Sequence, residues 1–405
     1  MEEDYQFYKP KKMEDYGLLY NVMDAAFNDE DVASIVRRFV EKHPGMTQGD
    51  YFMVKHGEKA VAGLVLIPQR WSIDGVELKV AEMGCVGTDP AYRRKRLQYI
   101  LNEKFDEYAR ENGYDLCVLA GIPYFYRQFG YQYAVELDYL STVDVEKLPR
   151  DSKLTTRSFE PQDIQAAQRL LDETQRKYMV HSVRTDEIWR MQEETRTYGA
   201  DPFKGNVILD GNQMIAYIRW WTEPKEKTLV IKELALKDRA QSREIAGIIR
   251  AEAEKQGLNK ILSKLSYEDA FSKYLIKLGA DKDKIYAWQV KILNPRGFLE
   301  KLGPVLERRL KDSEFKGLSK ELRMNFWKYA ISLKFEDGKL VSVEEVTEAK
   351  RVLGMNPYAS IQLFLGYRSR EELEYMYPDF YIRGGNQRLI DVLFPRSPGY
   401  IHYCY

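Results

Sequence analysis

The run Val86-Gly-Thr-Asp-Pro-Ala-Tyr-Arg-Arg-Lys-Arg-Leu-Gln98 joins two segments of different periodicity. Residues 78–85 before it are largely apolar and read as a strand. Residues 98–111 after it repeat their apolar positions at helical spacing. A strand, a cationic turn and a helix in that order gather unpaired amide N–H groups at one end of the helix. The helix dipole adds positive potential there, and the combination makes an anion site. Arg93, Arg94, Lys95 and Arg96 add formal charge. A solvated basic turn is the simpler alternative, and the charges alone do not choose between the two.

Composition narrows the choice. The chain has 405 residues, enough for two or three domains. Lys and Arg (62) balance Asp and Glu (62), so the basic turn is a local device and the chain is not an obvious nucleic-acid binder. Cys85, Cys117 and Cys404 form no closely spaced pair, and His43, His56, His181 and His402 are scattered. Neither a metal site nor a disulfide scaffold is expected, and an intracellular, cytoplasmic setting fits. The N-terminus is acidic and lacks a signal-peptide core. No apolar run approaches the ~20 residues of a membrane span.

Residues 13–27 and 30–42 read as amphipathic helices, with Leu18, Leu19, Val22, Met23 and Ala26 on one face. Strands follow at 51–55, 60–68, 71–73 and 77–85, the last two around Asp74-Gly75, a strong hairpin signal. A helix to Glu111, strands at 116–120 and 133–143, and a short helical segment at 124–129 complete the unit. The order then repeats. Helices are expected at 160–180, 185–197, 241–255 and 270–278, and strands at 206–210, 213–221, 228–236, 260–265 and 285–292. Glu82 and Gly113 match Glu233 and Gly257, and the shorter spacing in the second unit falls on the basic turn. Asn294-Pro295 marks a further boundary. A helix at 296–312, a hairpin at 326–336 and 339–346 around Asp337-Gly338, and helices at 357–366, 369–376 and 386–393 follow. The chain ends Tyr-Ile-His-Tyr-Cys-Tyr405. Chain ends are normally polar and frayed, so this aromatic end is expected to pack. The fold class is α+β.

The first unit resembles the GNAT family of acyl-CoA-dependent N-acetyltransferases. The family's Pro-x-Tyr-Arg step stands here as Pro90-Ala-Tyr92-Arg93, and its Arg/Gln-x-x-Gly-x-Gly/Ala window as Arg93-Arg94-Lys95-Arg96-Leu97-Gln98. The later Phe-Tyr-x-x-Phe-Gly-Tyr motif is Phe125-Tyr126-Arg127-Gln128-Phe129-Gly130-Tyr131. The whole chain is similar to the enhanced intracellular survival type of acetyltransferase. That resemblance implies an active-type GNAT domain at 1–150, a degenerate one at 151–293 and a sterol-carrier-protein-like α/β domain at 294–405.

It also implies a mechanism. Acetyl-CoA is the co-substrate and no metal is needed. Its pantetheine arm pairs with Val86, Gly87 and Thr88 in the splay between the strands at 78–88 and 116–121, which includes Gly121. Its pyrophosphate sits on the turn Arg93, Arg94, Lys95, Arg96, Leu97, Gln98 and Tyr99. An amine, either a small molecule such as an aminoglycoside or polyamine or a lysine side chain, attacks the thioester directly. Tyr126 protonates the leaving thiolate, and the terminal carboxylate of Tyr405 accepts the amine's proton. Glu82 is the alternative base. Asp24, Asp29, Glu30 and Asp31 are candidates for an acidic acceptor pocket. Oligomers are common in such enzymes.

Two positions depart from the pattern. Arg96 stands where the first Gly is expected and Gln98 where Gly or Ala is expected. A helical backbone at Arg96, with negative φ, is the expectation here, which leaves bulk as the obstacle to phosphate. A second function class therefore stays open: a catalytically inactive GNAT and sterol-carrier-like protein that binds a small ligand or serves as a scaffold.

Overall fold

Asp74 and Gly75 turn the chain between its two longest strands, and both have positive φ, 45° and 87°. This is the backbone hand that matches strand twist in a two-residue hairpin. The computed structural model describes residues 4–137, 139–199, 201–283, 286–347 and 353–405. In chain order the first part supplies β1 (Tyr5–Tyr8), α1 (Tyr16–Ala26), α2 (Val32–Lys42), β2 (Tyr51–His56), β3 (Lys59–Ile73), β4 (Val76–Thr88), α3 (Leu97–Glu111), β5 (Leu116–Leu119) and β6 (Gln132–Leu137). The main path of their sheet runs β1-β2-β3-β4-β5, then Tyr286–Ile292, then β6. β4 and β5 are parallel and are joined through α3, the usual crossover for parallel neighbours. Leu97, Leu101 and Phe105 of α3 pack with Leu64, Leu66, Ala81 and Cys117 of the sheet in one buried cluster. α1 lies close against β3: a Cβ on Gly63 would fall 2.3 Å from Leu19 Cδ1.

The chain divides into two compact units. One comprises Met1–Val135, Met179–Val183 and Trp288–Gly399, and the other Glu136–Tyr178, Arg184–Ala287 and Tyr400–Tyr405. The second unit is built on a seven-stranded sheet whose strand Thr228–Leu236 runs parallel to Lys260–Ser263, with helix Ser242–Lys255 between them in the chain. The first unit also holds an antiparallel sheet of Lys320–Asn325, Ala330–Glu336 and Lys339–Val346, extended by two short strands.

Several elements differ from the sequence reading. The strands expected at 60–68 and 71–73 are one, β3. Pro68 is accommodated because β2 pairs only as far as Val65 and Val180–Ser182 begins at Ile73–Trp71, so that edge is open at the proline. The strand expected at 133–143 is two: β6 in the first sheet and Ser141–Asp144 in the second. Tyr286–Ile292, expected among the second set of strands, pairs antiparallel with β5, Ile292 opposite Leu116. Apolar alternation identifies a strand but not the sheet it joins. The helix expected at 296–312 is divided into Pro295–Lys301 and Gly303–Lys311, Pro304 lacking the N–H that a continuous helix needs. The strand Lys320–Asn325 lies where the sequence pattern predicts no element.

Phe105 is fully buried and its ring lies 5.9 Å from that of Phe52. Phe105→Ala is expected to destabilise the first unit by about 3–5 kcal/mol, read as a lowered denaturant midpoint. The same change at exposed Tyr99 is expected to shift it little.

Candidate active site

Pairing between β4 and β5 ends at Glu82 opposite Val118. β4 continues to Thr88, whereas β5 stops at Leu119. The two strands therefore part, and backbone groups of residues 83–88 face a wedge instead of a partner strand. On the other edge Val65 faces Gly84 while Gly63 faces Gly87, a bulge that places Cys85 and Val86 opposite Leu64. Cys85 takes a positive φ of 48° there. Such a bulge re-aims backbone groups. Gly87 is needed for close approach: a Cβ would lie 3.0 Å from Ala26 Cβ at the end of α1.

The turn that follows is fastened and then strained. Asp89 accepts the Ala91 N–H at 2.9 Å and pairs with Lys59 at 2.6 Å. The Lys59 ammonium, then the Ala91 amide, hold its carboxyl below the usual range. Arg94 and Arg96 both have left-handed backbone, φ 65° and 60°, on either side of Lys95. This corrects the expectation of a helical Arg96: it is the N-cap, with ψ 21°, and α3 begins at Leu97. For a side chain with a Cβ this conformation costs roughly 1–2 kcal/mol per residue. Glycine would avoid the cost, which explains why the family pattern places one there. Arg93 before them is extended, φ −62° and ψ 157°, and left-handed Arg96 directly precedes helical Leu97; a left-handed residue followed by a right-handed one turns successive N–H groups to one side and forms an anion-binding concavity. Strain concentrated in this way is a property of functional backbone.

The side chains leave that concavity accessible. Arg93, Arg94, Lys95 and Arg96 are all exposed. The Arg96 guanidinium stacks on the Tyr99 ring, 4.8 Å from its centroid, and Arg93 reaches the Ala26 carbonyl at 3.5 Å. Gln98 lies across the mouth of the wedge. Its amide nitrogen donates to the Gly87 carbonyl at 3.2 Å and to the Thr88 hydroxyl at 2.9 Å. The structure thus gathers Val86, Gly87, Thr88 and the turn 93–99 at one end of β4.

Tyr126 stands on a short helical turn, Phe125–Phe129, which ends at left-handed Gly130. Its ring is buried, 5.1 Å from Phe125 and 6.2 Å from Tyr131. It packs on Gly121, where a Cβ would fall 2.5 Å from the ring. Burial alone pushes its phenol up to about 12, so it holds its proton across the physiological range. Gln289 fixes the loop above it, donating to the carbonyls of Gly121 (2.9 Å) and Ile122 (3.3 Å). Ile122 and Tyr124 stand exposed beside it. Glu82, at the point where the strands part, is buried and accepts from Gln69 Nε2, and Trp71 Nε1 donates to Gln69 Oε1 at 2.9 Å. The sequence offered no signal for Gln69 or Gln289, whose partners lie 13 and 168 residues away in the chain.

Asp24, Asp29, Glu30 and Asp31 are exposed, and Asp31 caps α2 by accepting the Ser34 N–H at 3.1 Å. Tyr405 belongs to the second compact unit, packed with Ile188, Met191 and Cys404. Among the described residues no group of three or more His, Cys, Asp or Glu is placed to hold a metal, and no helix is long and apolar enough to cross a membrane.

Residues 8–134 match the family model described as the acetyltransferase (GNAT) domain, and the chain carries such a domain. No curated protein matches it in sequence. Its fold is shared over nearly its whole length with solved structures. A GCN5-related N-acetyltransferase from Anabaena variabilis superposes with a TM-score of 0.75 at 16% identity, covering 98% of this chain and 99% of that one. A protein from Enterococcus faecalis described as a probable N-acyltransferase gives 0.73 at 19%, covering 98% and 97%. Eis1 from Mycobacterium abscessus gives 0.66 at 13%, covering 98% and 99%.

Because Arg96 is left-handed, Arg96→Gly is expected to stabilise the folded chain by about 1 kcal/mol, measured by denaturant unfolding.

Proposed function

We propose that this protein transfers an acetyl group from acetyl-CoA directly to the amine of a small molecule or lysine side chain. The observation that carries the reading is the strained turn: Arg94 and Arg96 hold the left-handed backbone that aims amides at an anion, beside the place where β4 and β5 part. The site fits the co-substrate. A diphosphate would meet the amides of residues 93–97 and the guanidinium groups around them, and an extended amide-bearing arm would meet β4 at Val86, Gly87 and Thr88. Gln98 must yield the Gly87 carbonyl for full pairing. The segment 151–293, with a similar strand–helix–strand arrangement and no positive φ among the described residues of the turn before its helix, is on this reading a degenerate GNAT domain. The segment 294–405 corresponds to the sterol-carrier-like domain that the resemblance implies.

In the reaction the amine nitrogen bonds to the acetyl carbonyl carbon, the carbon–sulfur bond breaks, and the sulfur leaves as thiolate and takes up a proton. Tyr126 is the proton donor. At about 12 its phenol is a weaker acid than a thiol, whose ordinary value is about 8.5. It therefore acts by hydrogen-bonding the departing sulfur and sharing its proton as charge develops, instead of ionising first. The amine's proton goes to a carboxylate. The terminal carboxylate of Tyr405 takes that role by the resemblance, and Glu82 is the second candidate, its oxygen already engaged by Gln69.

Calorimetric titration is expected to show acetyl-CoA binding, weakened at least tenfold by Arg94→Glu, which reverses the charge at the turn. No binding at millimolar acetyl-CoA would defeat this reading and leave the ligand-binding or scaffold one. Tyr126→Phe is expected to lower kcat by about 10²-fold or more with the acetyl-CoA affinity unchanged. With Tyr126 at about 12, its protonated form persists to pH 11, so the kcat profile of the unaltered enzyme should show no alkaline loss below pH 10 that Tyr126→Phe removes.

A further inference from the structure

Residues 121–130 follow β5 and carry the phenol of Tyr126. Much of this segment is irregular, so its carbonyls have no strand ladder to join. Its conformation is also costly. Tyr124 has φ 72° and ψ −43°, and the Phe125 N–H reaches back to the Pro123 carbonyl at 2.9 Å. That is a γ-turn of the rare, strained hand. Strain of this kind persists only where the surroundings impose it.

The surroundings here are two side chains of one strand. Tyr286–Ile292 pairs with β5, Gln289 opposite Leu119 and Lys291 opposite Cys117. Alternation puts both on one face, the face where Leu119, Cys117, Tyr126 and Tyr131 join a single buried cluster. An amide and an ammonium are unfavourable there unless they are hydrogen-bonded. Gln289 holds the carbonyls of Gly121 and Ile122. Lys291 holds the other end of the segment. Its Nζ donates to the Phe129 carbonyl at 3.0 Å and lies 4.7 Å from the centroid of the Tyr131 ring. Its stem covers Gly130, where a Cβ would fall 3.3 Å from Lys291 Cδ. Tyr126 is tied to the same end, its carbonyl accepting the Tyr131 N–H at 3.4 Å.

Lys291 is itself anchored. Nζ also donates to both oxygens of Asp106 on α3, at 2.7 and 2.6 Å. The side chains are 10% and 23% exposed. Burial pushes the Asp106 carboxyl up, and the Lys291 ammonium opposes that shift. A buried pair is weak evidence of added stability, and geometry is what this one supplies. Through a single ammonium the end of the Tyr126 turn is fastened to the helix that packs on the sheet.

We propose that Lys291 is a positioning residue for the Tyr126 phenol, with Asp106 as its anchor and Gln289 as the second point of hold. For what the phenol does, the proposal rests on the acetyl-transfer reading. A hydrogen bond to a departing sulfur depends on direction, and a displacement of about 1 Å can cost about 10²-fold in rate.

Hydrogen–deuterium exchange of the full-length protein, read by mass in peptides spanning 121–131, tests the hold. Lys291→Met keeps an apolar stem over Gly130 and removes the ammonium. Asp106→Leu in the same chain avoids an unpaired buried carboxylate. This double variant is expected to exchange the 121–131 amides at least tenfold faster, with peptides from β3 unchanged. Its kcat for acetyl transfer to spermidine is expected to fall by about 10- to 100-fold, with the KM for acetyl-CoA unchanged. Gln289→Ala is expected to move both readouts in the same direction. Combined with Tyr126→Phe, the losses in kcat are expected not to add, since no phenol remains to be placed. Unchanged exchange at 121–131 in both Gln289→Ala and the double variant would overturn the proposal. So would faster exchange with kcat unchanged, or losses that add fully to that of Tyr126→Phe. A parent that binds no acetyl-CoA at millimolar concentration would defeat the acetyl-transfer reading instead, and the exchange comparison alone would then uphold or overturn the hold.

Discussion

Two parallel strands that pair at one end and part at the other organise the first unit. A parallel pair needs a crossover helix, so α3 must start close to where β4 ends. The parting leaves backbone of β4 facing an opening, and the bulge at Cys85 turns its groups further. One geometric event thus brings a free strand edge, a helix N-terminus and the buried phenol of Tyr126, seated on Gly121 just past the end of β5, into a single wall. The apolar cluster under α3, centred on Phe105, Leu101 and Cys117, keeps the helix from shifting relative to the strands.

The second unit shows what the same geometry does with different residues. Its strands also part, but the turn before helix Ser242–Lys255 is a short helical one, Arg239–Gln241, fastened by Asp238 accepting the Ala240 N–H at 2.9 Å. No described residue of that turn has a positive φ. Without a left-handed residue, that turn lacks the concavity proposed for the first unit. Polar groups buried in this unit are satisfied from within the chain, as where Arg184 and Gln192 donate to the Tyr403 carbonyl at 2.9 and 3.0 Å.

Much of this was legible from residues close in sequence. The cationic turn, the hairpin at Asp74-Gly75 and the Phe-Tyr-x-x-Phe-Gly-Tyr run are local patterns, and each lies where local chemistry puts it. Asp337-Gly338 likewise turns with positive φ, 47° and 75°. The aromatic C-terminal segment packs as its composition predicts, Tyr400, Ile401, His402 and Cys404 being buried, because leaving so much apolar surface in water is unfavourable. Contacts spanning large loops were not legible. Gln289 reaches Gly121 across 168 residues, and Arg184 reaches Tyr403 across 219. Nothing in the alternation of Tyr286–Ile292 says that it pairs with β5. The left-handed Arg96 is illegible for a different reason: it stands in the window that, by the resemblance, opens a helix, and the residue types beside it carry no mark of a reversed φ.

The arginines at 94 and 96 can be weighed against glycine, which the family pattern places at 96. Glycine would relieve roughly 1–2 kcal/mol of strain at each position and admit an anion more closely. Arginine keeps the same amide directions at that cost and adds a cation able to bind phosphate oxygens bidentately. Charge-assisted hydrogen bonds contribute about 1.5–3 kcal/mol each, so a single one formed on binding offsets the strain of one residue. That gain is realised only when the anion is present, whereas the strain is present always. On the acetyl-CoA reading the substitution shifts stability from the free protein to the complex, and it needs the Arg96 side chain parked clear of the amides. The Tyr99 ring provides that parking place.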